Sequence, residues 1–146
     1  MKPYIIGFYG YSNTGKTTVI IDLIKKLTDA NYNVATIKFS DKKINFDSNG
    51  KDTYKHAQVG ANPIVLSSLS ETDFIIKKKL ELKDIIIYLT TFKKLDIIII
   101  ESVKDPDIPK IRLGDIQKRE NTILDYKDDF KYLYQFIEEK IKNRVE

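Results

Sequence analysis

Short runs of apolar residues recur along the chain, and each predicts a β-strand. The most continuous run is Leu95–Glu101, whose four consecutive isoleucines are typical of a parallel strand covered on both faces. The predicted strands are Tyr4–Tyr9, Val34–Lys38, Ile64–Ser67, Glu71–Lys79, Leu95–Glu101, Lys110–Leu113 and Thr122–Leu124.

Between the strands, apolar residues recur at helical spacing. Val19, Ile20, Leu23, Ile24 and Leu27 form one such stripe. The predicted helices are Lys16–Ala30, Lys51–Val59, Leu82–Phe92 and Asp128–Arg144, with Gly60 at the C′ position of the second. Strands alternating with helices predict an α/β fold of three layers, with a mostly parallel central sheet and helices on both faces. We expect residues 1–146 to form a single domain.

The composition excludes several classes of protein. Without cysteine there is no disulfide framework and no thiolate metal site, and the single His56 excludes sites that need two imidazoles. No apolar run reaches the roughly 18 residues of a membrane span, and the first residues lack a signal-peptide pattern. We therefore expect a cytoplasmic protein with no membrane partner. A formal net charge of +4 is too small to indicate a nucleic-acid partner.

The excess positive charge is unevenly distributed. Residues 1–60 contain nine lysines and five aspartates, which gives +4, whereas residues 61–146 contain sixteen basic and sixteen acidic residues. The excess therefore lies in the part of the chain that contains the strongest motif. Lys42 and Lys43 in this part are as consistent with a solvated loop as with phosphate contacts.

That motif is Gly10-Tyr11-Ser12-Asn13-Thr14-Gly15-Lys16-Thr17-Thr18, which fits the phosphate-loop pattern G-x-x-x-x-G-K-[ST] in full. A strand precedes it and a helix follows, as the mechanism requires. The pattern predicts a fold of the P-loop NTPase type. The residues that we expect to bind the nucleotide are Gly10, Ser12, Asn13, Thr14, Gly15, Lys16, Thr17, Thr18 and Lys38.

The chemistry of polyphosphate binding explains these residue types. Successive backbone N–H groups and the helix N-terminus hold several negative charges without a single costly ion pair. Gly10 and Gly15 allow backbone angles and close approaches that a Cβ would block. Lys16 is expected to reach the β- and γ-phosphates, and the Thr17 hydroxyl to bind Mg²⁺.

Two carboxylates are candidates for the metal. Glu101 ends the predicted strand Leu95–Glu101 at the carboxyl edge of the sheet, where ligands of open parallel sheets bind, whereas Asp96 lies at the opposite end. Glu101 is alternatively only the first solvated residue after the strand. Asp52 opens a predicted helix, where a carboxylate favours the free N–H groups, so from residue chemistry helix capping is the simpler interpretation.

Four patches together resemble the molybdopterin-guanine dinucleotide biosynthesis protein B family. They are Gly10–Thr18, Ile37-Lys38, Gly50-Lys51-Asp52-Thr53-Tyr54 with Gly60-Ala61 behind it, and Asp96–Glu101 with the later Lys104 and Pro109-Lys110-Ile111. The resemblance implies a homodimer that binds the guanine nucleotide GTP with Mg²⁺ and hydrolyses it weakly. It also implies a supporting role for the molybdenum cofactor nucleotidyltransferase that joins GMP to molybdopterin.

By position, the resemblance implies that Lys16, Asp52 and Glu101 act on the nucleotide, with Thr17, Glu101 and Asp52 as metal ligands. It thus raises Asp52 above the capping interpretation. The chain departs from the family pattern at two places. Phe39, Ser40, Asp41 and Lys42 stand where histidines often follow the second strand, and Ser102 stands where a glycine follows Glu101.

Two alternatives from other classes start from the same loop. A small-molecule kinase, transferring the γ-phosphate of ATP or GTP to an acceptor, usually carries an arginine-bearing lid. The three arginines, Arg112, Arg119 and Arg144, are all late in the chain and show no lid pattern. A regulatory GTPase would carry the guanine-reading Asn-Lys-x-Asp, which is absent. A preference for guanine therefore depends on the resemblance.

Overall fold

The computed structural model describes residues 1–45, 47 and 51–144, and the chain divides into two compact units. The first unit comprises Met1–Ser40 and Leu89–Glu146, and the second comprises Asp41–Tyr88. Gly50, which opens the third patch of the family resemblance, lies outside the described residues. The single domain over residues 1–146 stays a prediction.

The described residues form seven strands and four helices. In chain order they are β1 (Tyr4–Tyr9), α1 (Lys16–Asp29), β2 (Val34–Lys38), α2 (Asp52–Gln58), β3 (Ile64–Ser67), β4 (Thr72–Ile75), α3 (Leu82–Phe92), β5 (Ile97–Glu101), β6 (Lys110–Leu113), β7 (Thr122–Tyr126) and α4 (Phe130–Lys142). No helix in this part of the chain is both long enough and apolar enough to cross a membrane.

The first unit is built on a five-stranded sheet in the order β2-β5-β1-β6-β7. Every neighbouring pair is parallel, so all five strands end at the same edge. The predicted α/β fold with a mostly parallel central sheet is confirmed. In β5, Ile97 to Ile100 are all buried, as the continuous apolar run predicted.

The main core lies between one face of this sheet and two helices. Alternate residues of β1, β5 and β6 point into it, and α1 and α4 cover them with the apolar stripes that the sequence predicted. The sheet residues of this core are Ile6, Phe8, Ile97, Ile99, Ile111 and Leu113. Because β1 is central in the sheet and fully buried from Ile6 to Tyr9, the loop that follows it starts from a rigid point.

The connection from β6 to β7 contains no helix. Parallel neighbours usually need a crossover of about a dozen residues or more, whereas residues 114–121 join these two strands. The connection is fixed to β1, because the Arg119 guanidinium stacks over the Tyr9 ring at 4.7 Å and the Arg119 N–H donates to the Tyr9 hydroxyl. The Tyr9 hydroxyl in turn donates to Thr122 Oγ1 at 2.6 Å.

In the second unit, β3 and β4 pair with each other in an antiparallel two-stranded sheet, and α2 packs against β3. The strand predicted over Glu71–Lys79 is wrong in length, since β4 ends at Ile75, before a run of three lysines. Gly60 takes its predicted place after α2, at a φ of 109°. The N–H groups of Gly60 and Ala61 donate to the last carbonyls of α2, which is the Schellman arrangement.

Candidate phosphate-binding site

The predicted phosphate loop runs from the buried end of β1 to the start of α1. Its two glycines are needed for different reasons. Gly15 has a φ of 81°, a conformation that favours glycine, and it forms the N-cap of α1. Gly10 lies against other atoms, because a Cβ there would come within 2.7 Å of the Leu113 carbonyl oxygen and 2.9 Å of Thr14 Oγ1.

The loop is held in shape by its own polar groups. The Thr14 hydroxyl donates to the Tyr11 carbonyl at 2.7 Å, and Asn13 adopts a positive φ of 64°. The first intrahelical hydrogen bond of α1 runs from Val19 to Gly15, so the preceding N–H groups are at the open helix end. These groups and the helix dipole provide the positive end that a phosphate requires.

Beside the loop is a cavity of about 450 Å³. The residues around it come from the loop, the first turn of α1 and the ends of β2 and β5. They are Tyr11, Ser12, Asn13, Gly15, Lys16, Thr17, Thr18, Lys38, Glu101 and Ser102. Every residue predicted to bind the nucleotide therefore lines this cavity, except Gly10 and Thr14.

Charged side chains meet at the carboxyl edge of the sheet. Register pairs Lys38 of β2 with Glu101 of β5, and the Lys38 Nζ lies 3.8 Å from Glu101 Oε1. Lys16 Nζ lies 3.9 Å from the same oxygen. Lys16 and Glu101 are 14% and 15% exposed, whereas Lys38 is 69% exposed. The attraction between Lys16 and Glu101 is therefore the less screened of the two.

The ammonium of Lys16 has two further partners, both at long distance. It donates to the Gly10 carbonyl oxygen and to the Ser102 hydroxyl, each at 3.4 Å. Three acceptors thus surround one cation without a short hydrogen bond to any of them. A phosphate oxygen at hydrogen-bond distance would be a stronger partner than the Gly10 carbonyl or the Ser102 hydroxyl, because both donor and acceptor would then be ionised. It would also lie closer to the ammonium than Glu101 Oε1, which is 3.9 Å away.

Two oxygen-bearing side chains at this cavity are suitable ligands for Mg²⁺. Thr17 supplies a hydroxyl and Glu101 a carboxylate, and both line the cavity. Mg²⁺ is commonly held by one or two carboxylates together with substrate phosphates and waters rather than by a cage of protein ligands. A hydroxyl and a single carboxylate beside a phosphate loop are a set of that kind.

Two further carboxylates were considered for the metal. Asp52 lies in the second unit, at the first residue of α2, and its role toward a metal stays a prediction. Asp96 is at the opposite edge of the sheet, as expected, where it accepts a hydrogen bond from the Asn33 N–H at 2.7 Å. Sequence reasoning did not assign Ser102 to the site, although its place directly after Glu101 was a usable signal.

Comparison with known proteins identifies the family. The family model of molybdopterin guanine dinucleotide synthesis protein B, MobB, matches residues 5–134. The chain belongs to the MobB family. This match covers the whole phosphate loop, both cationic residues Lys16 and Lys38, and Glu101.

Curated relatives carry consistent names. A protein of Methanocaldococcus jannaschii, named a putative molybdopterin-guanine dinucleotide biosynthesis adapter protein, is 33% identical over 111 residues, covering 73% of this chain and 45% of the relative. The adapter protein of that pathway from Escherichia coli is 30% identical over 113 residues, covering 75% of this chain and 64% of the relative. The chain thus spans about half to two thirds of the length of these relatives.

Solved MobB structures share the fold. The crystal structure of Bacillus subtilis MobB superposes with a TM-score of 0.72 at 19% identity, covering 97% of this chain and 99% of that one. A MobB homologue from Bacillus stearothermophilus gives a TM-score of 0.66 at 16% identity, covering 96% and 99%. At these identities the likeness supports the phosphate-loop α/β fold and nothing finer.

Proposed function

We propose that this protein binds GTP with Mg²⁺ at the phosphate loop, hydrolyses it slowly, and serves as an accessory protein in molybdopterin-guanine dinucleotide synthesis. In that role it would assist a nucleotidyltransferase that joins GMP to molybdopterin. The observation that supports nucleotide binding most directly is the cavity where Lys16, Thr17 and Glu101 meet beside the open end of α1. The relatives named as adapter proteins support the accessory role.

The arginines favour an accessory protein over a kinase. A kinase lid needs a guanidinium that can swing onto the transferring phosphoryl group. Here Arg112 donates to Asp125 at 2.7 Å, Arg119 donates to the Val103 carbonyl at 2.9 Å, and Arg144 donates to Asp96 at 2.9 Å. Each guanidinium is thus engaged in holding the first unit together, which leaves stabilisation of the transition state weak and hydrolysis slow.

A homodimer is part of this proposal. The β3–β4 sheet has only two strands, and such a hairpin is marginally stable unless something covers it. Ile64 is buried, whereas Val65 on the opposite face is 51% exposed and Leu66, on the same face as Ile64, is 48% exposed. We propose that a second copy of the chain covers the face that carries Val65.

The test of nucleotide binding is replacement of the loop lysine. We expect Lys16→Ala to weaken Mg²⁺–GTP binding at least about 100-fold, because two hydrogen bonds to charged oxygens are lost. Calorimetric titration measures this, with Lys25→Ala as the matched control. Lys25 is on the same helix but 75% exposed, paired with Asp29. Unchanged GTP affinity in Lys16→Ala would overturn the assignment of the site.

The same titrations distinguish the competing functions. Wild-type protein titrated with GTP, ATP and their diphosphates, with and without Mg²⁺, should bind GTP more tightly than ATP. Tighter binding of ATP, or rapid phosphoryl transfer to an added acceptor, would support the kinase instead.

A further inference from the structure

Ser102, directly after Glu101, has an unusual backbone conformation. Its φ is 68°, in the left-handed region where a residue with a Cβ is disfavoured. Such conformations persist only where the surrounding structure imposes them, and they are concentrated at ligand-binding sites. Ser102 also lines the cavity beside the phosphate loop.

Contacts of Ser102 itself and of Val103 impose this conformation. The Ser102 N–H donates to the Phe8 carbonyl at 2.8 Å, which continues the pairing of β5 with β1. Val103 is 1% exposed and packs so closely against Gly7 that a Cβ on Gly7 would lie 2.2 Å from the valine side chain. Arg119 then donates to the Val103 carbonyl at 2.9 Å. The turn at Ser102 therefore cannot relax without unpacking Val103.

This fixed turn places the hydroxyl in the lining of the cavity, beside the Lys16 ammonium. Ser102 Oγ is 3.4 Å from Lys16 Nζ. Because a phosphate-loop lysine reaches the β- and γ-phosphates, the position of Lys16 marks where the end of a triphosphate would lie. The Ser102 hydroxyl thus lies on the side of the β- and γ-phosphates rather than of the sugar or the base.

A hydroxyl suits this position because it both accepts and donates hydrogen bonds. Without nucleotide it accepts from the Lys16 ammonium. When a phosphate takes that ammonium, the hydroxyl can rotate and donate to a phosphate oxygen. The neighbouring Glu101 carboxylate can only accept, so it cannot make this contact to an anion.

We propose that the Ser102 hydroxyl binds the terminal phosphate of a nucleoside triphosphate and makes the site prefer the triphosphate over the diphosphate. This inference rests on the proposed function, since it concerns the same cavity. The preference for triphosphate over diphosphate would then depend on a single atom, the Ser102 hydroxyl oxygen.

Two substitutions at this position separate the hydroxyl from the backbone. Ser102→Ala removes the oxygen and keeps a Cβ in the left-handed conformation, whereas Ser102→Gly removes the oxygen and the strain together. Ser67→Ala is the matched control, because Ser67 is exposed in the second unit and its hydroxyl lies 3.3 Å from that of Thr72. The probes are the β,γ-imido analogue of GTP and GDP, with the adenine pair in parallel, each titrated with Mg²⁺.

We expect Ser102→Ala and Ser102→Gly to bind the triphosphate analogue about tenfold or more weakly, the effect of one lost hydrogen bond to a charged group. Diphosphate affinity should change less than about twofold in both, because the diphosphate lacks the oxygen that the hydroxyl contacts. Ser102→Gly should melt at a higher temperature than Ser102→Ala, which reports the relief of strain separately from binding.

Four results would overturn the proposal. Equal changes in triphosphate and diphosphate affinity would mean that the hydroxyl only holds Lys16. A loss in one Ser102 variant without the other would mean that the backbone, not the oxygen, matters. Wild-type protein that binds neither nucleotide would overturn the proposed function as well, whereas normal wild-type binding with unchanged variants would overturn this inference alone.

Discussion

Single residues at the site contribute a lack of steric bulk, a backbone conformation or a charge, and each contribution can be removed by one substitution. Gly15 provides a left-handed conformation, Gly10 provides room beside Leu113, and Lys16 provides charge. The motif predicted these three residues, because loop chemistry dictates them locally. It did not predict the strained turn at Ser102, since that turn is imposed by Val103 packing against Gly7, a residue far away in sequence.

At the residue scale, we expect Gly10→Ala to reduce the free energy of unfolding by about 1–3 kcal/mol, as overpacking does. The added Cβ would meet the Leu113 carbonyl oxygen, a backbone atom that cannot move aside by rotating. The loop must shift instead, so nucleotide affinity should fall as well. Denaturant unfolding and calorimetric titration measure the two effects.

The control for Gly10→Ala is Ile137→Val, a truncation in the core of α4 that costs about 0.5–1.5 kcal/mol without touching the loop. It should lose stability and keep nucleotide affinity. If both variants lose affinity equally, the effect of Gly10→Ala comes from general destabilisation.

At the scale of elements, the strands and helices with strong periodicity were predictable and their partners were not. The isoleucines of β5 predicted a buried parallel strand, and the structure confirms it. The runs that form β3 and β4 gave no sign of pairing in a separate antiparallel sheet, because pairing depends on contacts remote in sequence. Nor did Lys110 in β6 indicate that its ammonium would be buried and bonded to the carbonyls of Asp105, Ile108 and Glu120.

The β3–β4 sheet also carries the prediction of a dimer. We expect Val65→Glu to convert a dimer into a monomer, because a carboxylate on the face that carries Val65 would be buried against the second copy. Leu66→Glu, on the opposite face of the same strand, is the control and should leave the dimer intact. Sedimentation equilibrium measures both. Wild-type protein that is monomeric at all concentrations tested would contradict the dimer itself.

At the scale of the whole first unit, different kinds of residue lie at the two ends of the parallel strands. The phosphate loop, Lys38 and Glu101 lie at the carboxyl edge, whereas Asp96 lies at the amino edge and forms hydrogen bonds there. Asp96 accepts from the Asn33 N–H and from Arg144, at 2.9 Å, and so joins the starts of β2 and β5 to the end of α4. The proposed phosphate site and the hydrogen bonds of Asp96 are therefore at opposite ends of the same strands.

The hydrogen bonds that Asp96 accepts from Asn33 and Arg144 should weaken in acid. Burial by itself would raise the pKa of Asp96, but the Asn33 N–H and the Arg144 guanidinium outweigh it, and the pKa is lowered from 3.8. A carboxyl with a lowered pKa stabilises the fold above its unfolded pKa, and this stabilisation disappears as the pH falls through the folded pKa. We expect the stability contributed by Asp96 to be complete at pH 7 and lost progressively below pH 3.8.

The measurement is thermal unfolding of wild type and Asp96→Asn at pH 7 and at pH 3 or below. At pH 7 the variant should be less stable by about 1.5–3 kcal/mol, the range for hydrogen bonds to charged groups. In acid the difference should shrink. Asp29→Asn, in an exposed pair with Lys25, is the control and should change little at either pH. A difference for Asp96→Asn that is independent of pH would contradict the role of its charge.

The resting position of Lys16 between Gly10, Ser102 and Glu101 has a thermodynamic consequence. The Glu101 carboxylate partly neutralises the charge of the Lys16 ammonium, in the place where a phosphate would otherwise do so. A cation that binds Glu101 takes this counter-charge away and leaves Lys16 more attractive to phosphate, and a phosphate that takes Lys16 leaves Glu101 more attractive to a cation. Reciprocity between two ligands then requires each to raise the affinity for the other by the same factor. The two ligands would therefore bind cooperatively, because the residues that receive them, Lys16 and Glu101, form an ion pair with each other.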